Sequence, residues 1–363
     1  MTKLKVCWIS NIPSPYKVDF MRLLSHDVEL LCLFENRSEK NRDISWSQYQ
    51  LSGMNTEMLT KDSWKRQIVE ASHYYDCLIN SDYSKKPCIY AVNQFHKCGK
   101  TVVMHADGGL VIPRGLFDHA IAKVMKKNDW FLSSGEEVDR YYQYYGVPAD
   151  RIFHYHFACM PSSQLKTNRE MSEQKENYRR KCGFAEQRIL LSVGQQIPRK
   201  GYDILCRAMI GLDKNIGVYI IGGTAQSSVQ KIVDDNQMTN IHFLPFMNQN
   251  ELACYYAAAD IFIMPTRYDI WGLVINEAMS FGLPVLSSDR CVAALEYQRL
   301  FHNAEIYPYE NVELLRDKIK MLCENNDLST KLGQRSLEGI ADYSYETMEN
   351  DFLKILHQCC SGS

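Results

Sequence analysis

No stretch of this 363-residue chain approaches the ~20 consecutive apolar residues of a membrane-spanning helix, so a helical membrane channel or transporter is excluded. The opening residues, MTKLKVCWISNIPSP, contain too short an apolar stretch for a secretory leader and run directly into an expected strand. Excess charge is also missing. Lys and Arg total 41 against 43 Asp and Glu, and a formal charge of -2 gives no whole-molecule grip on nucleic acid. The chain has no CxxC, and its 13 cysteines are odd in number and scattered, which argues against a disulfide scaffold and for free thiols in a reducing cytoplasm. Neither GxGxxG after the first apolar run nor GxxxxGK followed by Ser or Thr occurs, which removes the phosphate cradles of dinucleotide oxidoreductases and P-loop NTPases. Asp-x-Asp, GxSxG and HExxH are absent too, so no metal and no cofactor is expected.

What is present is apolar and periodic. Hydrophobic residues make up 45% of the chain, enough for large cores, and 363 residues exceed what one core usually supports. Continuous apolar runs alternate with helical stretches, the pattern of parallel strands covered on both faces by helices. Strands are expected at Lys5–Ser10, Val28–Phe34, Cys77–Asn80, Thr101–His105 and Trp130–Ser133, with helices at Val18–Leu24 and Gly115–Lys126. A second set is expected at Ile189–Val193, Val218–Ile221, Ile241–Leu244, Ile261–Met264 and Val285–Ser288. Polar Met160–Lys181 reads as the connection between them. The expected organisation is a first domain over 1–165, a second over 166–340, and a C-terminal helix in 341–363 that packs back on the first. Two doubly wound domains facing each other would place a ligand cleft between them, beyond the carboxyl ends of the strands.

The segment Pro265-Thr-Arg-Tyr-Asp-Ile-Trp-Gly-Leu-Val-Ile-Asn-Glu-Ala-Met-Ser-Phe-Gly-Leu-Pro284 is the most informative. Its expected strand end, loop and helix put Asp269 just before the helix and Glu277 inside it, where two carboxylates can address two parts of one ligand. An acid complementing the helix dipole plus a solvated glutamate is the plainer reading of the same spacing. Leu191-Ser-Val-Gly-Gln-Gln-Ile-Pro-Arg-Lys-Gly-Tyr-Asp203 follows the first strand of the second set and carries Gly194, Gln195, Arg199 and Lys200. Taken alone, its basic pair also fits a solvated turn.

These two segments resemble the signatures of the family 4 retaining glycosyltransferases, which have the GT-B fold of two facing Rossmann-like domains. The order Pro265, Gly272-Leu-Val, Glu277-Ala-Met and Gly282-Leu-Pro-Val is similar to the family's E-x7-E segment, with Asp269 where Glu is commoner. Lys200 stands at the family's diphosphate-binding lysine, and Gln195 at the place of its usual arginine partner. The resemblance implies an α/β chain of GT-B fold and a retaining hexosyltransferase without metal, of the kind found in bacterial surface polysaccharide biosynthesis. It implies catalytic roles for Asp269, Glu277 and His105, and donor binding by Gly194, Gln195, Arg199, Lys200, Trp271, Gly272 and Leu273. Glu277 would hold the ribose hydroxyls, Asp269 the donor sugar, and Lys200 with the helix start the diphosphate. The donor would be a UDP- or GDP-sugar and the acceptor a glycan or polyprenyl-linked oligosaccharide. A sugar-nucleotide epimerase of the same fold and a non-catalytic binding protein are the competing readings.

The first strand leads into Ser10-Asn-Ile-Pro-Ser-Pro-Tyr-Lys-Val-Asp19, a loop stiffened by two prolines, which places Pro13, Ser14 and Tyr16 on the acceptor side. Asp107, in Val103-Met-His-Ala-Asp-Gly-Gly109, joins them; an ordinary turn and a structural histidine are the plainer readings. From Lys85 to Lys127 there are eight Lys or Arg and two Asp or Glu. That local excess suits an anionic membrane surface and a peripheral location at the inner face of the plasma membrane, whereas a solvated helix face explains it equally.

Overall fold

Short runs of branched and aromatic residues flanked by turn residues become strands here because helices bury them on both faces. The computed structural model describes residues 3–36 and 51–360. The chain divides into two compact units, Met1–Met160 with Ser344–Ser363, and Pro161–Tyr343. The divisions therefore fall at 160/161 and 343/344, a few residues from the 165/166 and 340/341 boundaries expected from composition.

Among the described residues the first unit holds seven strands: β1 (Lys5–Ser10), β2 (Glu29–Phe34), β3 (Asn55–Met58), β4 (Cys77–Asn80), β5 (Thr101–His105), β6 (Trp130–Ser133) and β7 (Ile152–His154). They form one parallel sheet in the order β3-β2-β1-β4-β5-β6-β7. Val6 on β1 pairs with Leu30 on one side and Cys77 on the other. The second unit holds β8 (Arg188–Val193), β9 (Ile216–Ile221), β10 (Ile241–Leu244), β11 (Ile261–Met264), β12 (Val285–Ser288) and β13 (Ala304–Tyr307), parallel in the order β10-β9-β8-β11-β12-β13. In both units the winding reverses beside the first strand, between β1 and β4 and between β8 and β11. At such a reversal the loops leave in opposite directions and open a crevice at the carboxyl edge.

The central strands are fully buried, from Val6 to Ser10 and from Ile189 to Val193. Residues Pro161–Cys182 do not form an open linker. They make helices Ser162–Ser172 and Lys175–Cys182 of the second unit, anchored where Asn168 Nδ2 donates to Ser280 Oγ at 2.8 Å and where Lys175 and Arg179 each reach Asp260 at 2.6 Å. They pack on helices Gln249–Ala258 and Val274–Ser280 and are held by a few specific polar contacts in place of an apolar stripe, which is why their composition suggests a connection.

The C-terminal helix Tyr345–Cys360 packs in the first unit. Phe352 stacks on Trp8 with ring centroids 5.6 Å apart and meets Phe20 edge-on at 4.9 Å. His156 Nδ1 lies 2.7 Å from Asp351 Oδ2, and the Tyr345 N–H donates to the Met160 carbonyl at 3.0 Å. Among the described residues no helix is long and apolar enough to cross a membrane.

Candidate functional site

The carboxyl ends of β8 and β11 bring two separate stretches of sequence together in the second unit. After β8 the chain turns through Gly194 into the short 3-10 helix Pro198–Lys200 and then Gly201. Gly201 has φ +71°, and a Cβ there would lie 2.0 Å from the Pro265 carbonyl oxygen, so only glycine lets this loop approach the end of β11. The approach places Lys200 Nζ 2.7 Å and Arg199 Nη1 3.1 Å from Asp269 Oδ2. A side chain on Gly194 would come within 3.0 Å of Lys200 Cε.

Asp269 is fixed through its backbone as well. Its N–H donates to the Arg290 carbonyl at 2.8 Å and its carbonyl accepts from the Val292 N–H at 3.2 Å. Burial alone would raise its pKa, but the Lys200 ammonium and Arg199 guanidinium overcome this and hold the carboxyl below its usual range. The cluster is thus two cations sharing one carboxylate, with net positive charge at a strand edge. It suits a polyanion that would compete with Asp269 for the same cations.

Glu277 lies within the seven-residue helix Val274–Ser280 and has a different partner. Tyr256 Oη donates to its Oε2 at 2.8 Å. Its side chain is only half-buried by surface, yet burial of the carboxyl drives its pKa up to about 7, with the Tyr256 hydrogen bond opposing the rise. Gly272 has φ +98°, and a Cβ there would sit 2.7 Å from Cys291 Sγ. Trp271 is 2% exposed, donates from Nε1 to Asn276 Oδ1 at 3.2 Å and packs edge-on against Tyr297, so its indole shapes the loop from within the core. Leu273 caps the helix and Gln195 lies in the turn after β8, both half-buried.

In the first unit, β1 and β5 assemble a second polar cluster. Pro13 and Ser14 are buried, with Ser14 as the N-cap and Pro15 as the first residue of helix Pro15–Leu24, the position where a missing N–H is harmless. Tyr16 Oη donates to Asp107 Oδ2 at 2.8 Å, and Lys17 Nζ lies 3.2 Å from the same carboxylate and 3.3 Å from Ser10 Oγ. His105 is 1% exposed, with Nε2 3.0 Å from Tyr155 Oη and no partner for Nδ1. Burial lowers its pKa to about 4, with Lys17 reinforcing and Asp107 opposing, so the imidazole is neutral at physiological pH. His105, Asp107 and Tyr16 therefore form one group, and Asp269, Arg199 and Lys200 another, each in its own unit.

Three residues escaped the sequence reading. Lys17 is only 4% exposed, a buried ammonium that β-strand and loop patterning gave no reason to separate from the chain's other lysines. Gln196 has both side-chain polar atoms shielded and without a hydrogen-bond partner, beside Gly223 just after β9. Arg267 grips Asp203 through both Nη atoms at 2.9 and 2.8 Å and Glu310 through Nε at 2.9 Å, and its N–H donates to the Arg199 carbonyl at 2.8 Å. It therefore positions the basic loop without belonging to it. An acid two residues after Lys-Gly was the available signal, but nothing in the sequence said which arginine would meet it. Arg267→Met is expected to lower nucleotide affinity on the order of 10-fold by loosening Arg199 and Lys200, measured by calorimetric titration; unchanged affinity would remove this positioning role.

Residues 174–338 match the family model described as glycosyl transferases group 1. The chain is 26% identical over 185 residues to the lipopolysaccharide glucosyltransferase WaaG of Escherichia coli strain K12, covering 48% of this chain and 47% of that protein. It is 24% identical over 244 residues to the D-inositol 3-phosphate glycosyltransferase of Streptomyces coelicolor, covering 59% and 52%. The matches span about half the length of these curated relatives. Among solved structures, Anabaena Alr3699/HepE in complex with UDP and glucose aligns with a TM-score of 0.79 at 14% identity, over 98% of this chain and 100% of that one. Crystalline WaaG aligns with a TM-score of 0.67 at 16% identity, over 96% and 99%. The fold is accordingly GT-B, with two Rossmann-like parallel-sheet domains.

Proposed function

We propose that the chain is a retaining glycosyltransferase that moves a sugar from a nucleotide-sugar to a glycan or polyprenyl-linked acceptor without a metal ion. The observation that carries this reading is the Lys200–Asp269–Arg199 cluster at the carboxyl edge of β8 and β11, within the segment that matches the group 1 model. A nucleoside diphosphate is the polyanion that suits it. Lys200 and Arg199 bind the diphosphate and stabilise charge developing on the β-phosphate as the glycosidic C–O bond breaks. The Gln196 amide supplies a neutral donor beside them. Glu277, as a carboxylate, accepts hydrogen bonds from the two ribose hydroxyls.

In the transfer step the acceptor oxygen bonds to the anomeric carbon on the face that the diphosphate leaves. The acceptor proton passes to the departing phosphate oxygen, so no protein base is required. Asp269 addresses the donor sugar. Asp107, oriented by Tyr16 and held ionised by Lys17, accepts from an acceptor hydroxyl. HepE's complexes with UDP and with UDP-glucose favour a UDP-sugar donor here, and the resemblance to WaaG, a lipopolysaccharide glucosyltransferase, favours an acceptor of surface-polysaccharide type.

The direct test is protection against thermal unfolding by a panel of UDP- and GDP-sugars. A bound nucleotide at 100 times its Kd adds about 2.7 kcal/mol. UDP is expected to protect, and the absence of protection by every nucleotide would discard the donor site. Incubation with a protecting sugar-nucleotide and no acceptor separates transfer from the epimerase reading, since net epimerisation would overturn the transferase.

A further inference from the structure

The C-terminal helix Tyr345–Cys360 ends on two consecutive cysteines that differ in burial: Cys359 is buried and Cys360 half-buried. Against its last turn lies the start of β4, where Cys77 is fully buried between Val6 and Thr101 of the neighbouring strands. The Cys77 thiol donates a hydrogen bond to the Cys360 sulfur, so the fold brings together two thiols from distant parts of the sequence. Both are reduced.

The two members of the pair differ in access and in acidity. Solvent reaches Cys360 but not Cys77. The shared hydrogen bond holds the Cys360 thiol below its ordinary range, against burial and the Asp76 carboxylate, whereas the same bond together with burial raises Cys77. Asp76 is itself engaged by the Lys5 N–H at 3.1 Å and by Lys100 Nζ at 3.6 Å, which blunts its repulsion. A helix C-terminus disfavours a thiolate, so the Cys77 contact is what prepares Cys360. Cys359 has no such help, and burial pushes its thiol up to about 12. A partly exposed acidic thiol beside a buried one is the arrangement of an attacking and a resolving cysteine.

We propose that Cys77 and Cys360 are a redox modification site, a pair that hydrogen peroxide converts to a disulfide locking the C-terminal helix onto the first sheet. The Cys360 thiolate attacks peroxide, the O–O bond breaks and hydroxide leaves, giving a sulfenic acid on Cys360. The Cys77 sulfur then attacks the Cys360 sulfur, the S–O bond breaks, and water leaves with the Cys77 proton. The two thiols lose two electrons and two protons, and peroxide becomes two molecules of water. At its other end the helix is held where Tyr345 Oη donates to the Cys159 carbonyl at 2.7 Å. Between the two ends Phe352 meets Tyr155 and His105 edge-on, at 5.1 and 5.5 Å. The bridge therefore fixes the element that backs the polar cluster of the first unit. It needs nothing from the proposed sugar chemistry.

Treating the full chain with a small excess of hydrogen peroxide, alkylating it and mapping its peptides without reduction tests this. A peptide joining Cys77 to Cys360 is expected, and dithiothreitol should reverse it. In the bridged protein, amide hydrogen exchange over 345–360 is expected to slow on the order of 10-fold or more, because closing so long a loop restricts the opened chain. Cys360→Ser, at a half-buried position, should keep the thermal unfolding of the reduced parent and lose both the bridge and the slowing. Cys77→Ala should instead leave a sulfenic acid on Cys360 that dimedone traps. If that core variant fails to fold, Cys360→Ser still decides the matter. No Cys77–Cys360 peptide from the parent chain, a bridge from Cys77 to Cys359 in its place, or a bridge that leaves exchange unchanged would overturn the proposal.

Discussion

Lys200→Ala is expected to lower sugar transfer on the order of 10²-fold or more, the usual loss when a preorganised charge contact to a developing anion is removed. Lys200 is 8% exposed and held 2.7 Å from Asp269, so its ammonium is already placed and partly dehydrated before the donor arrives. A water molecule in the vacated space would have to reorient during the reaction. The substitution also leaves a buried carboxylate with only the more exposed Arg199, and stability is expected to fall by about 3 kcal/mol. Adding Asp269→Asn to Lys200→Ala separates the two effects, since it removes the orphaned charge and recovers stability while transfer stays low. Turnover like the parent's in Lys200→Ala would discredit the site. The pH dependence has a definite sign. Because the folded pKa of Asp269 is depressed, its stabilisation is present above the ordinary value of 3.8 and lost as pH falls through the lower folded value. In Lys200→Ala that loss begins at higher pH.

Glu277→Ala is expected to lower transfer by a similar order, and Glu277 is expected to give the proposed donor site a pH dependence. Its folded pKa of about 7 lies above the ordinary 4.5, so the contribution of this group to stability is fully present below about 4.5 and lost as pH rises through about 7. Glu277→Gln is expected to flatten that part of the stability profile. Nucleotide binding should run the other way. Ribose hydroxyls donate best to the ionised carboxylate, so donor affinity is expected to rise as pH increases through about 7, and binding below that pH should release a proton. Calorimetric titration in buffers of different ionisation heat measures the proton directly. Binding with no proton release in the parent chain, or with the same pH profile in Glu277→Gln, would show that Glu277 does not touch the nucleotide. Tyr256→Phe removes the hydrogen bond that opposes the shift, so the midpoint is expected to move upward.

The central strands were legible in sequence because burial on both faces demands unbroken apolar runs; Lys5–Ser10, Cys77–Asn80, Ile261–Met264 and Val285–Ser288 end where the runs end. Asn55–Met58, Ile152–His154 and Ala304–Tyr307 escaped because each is an edge strand with side chains partly exposed, and Asn-Thr-Glu-Met carries no periodic signal strong enough to separate it from a loop. In the second unit, the basic loop and the acid of Asp269 were readable as neighbours of strand ends, whereas their direct pairing was not, since it depends on Gly201 allowing close passage beside Pro265. Helix Gly115–Lys126 was expected from its Leu116, Ala120 and Val124 periodicity, which normally marks a face packed on a core. The helix forms over Leu116–Met125, but Leu116 faces solvent. Periodicity reports that a face is apolar, not what covers it.

The return of Tyr345–Cys360 to the first unit gives the chain an order of assembly. Residues Pro161–Tyr343 form a contiguous body that can close on its own sequence as it is synthesised. The earlier unit cannot, because Phe352 fills the space between Trp8 and Phe20, and Asp351 satisfies His156. During synthesis the first half of the protein thus waits with an aromatic gap beside its first strand, while the second half, made later, finishes earlier. A chain cut before residue 345 would hold a second unit with all of its own sequence beside a first unit that lacks Phe352 and Asp351.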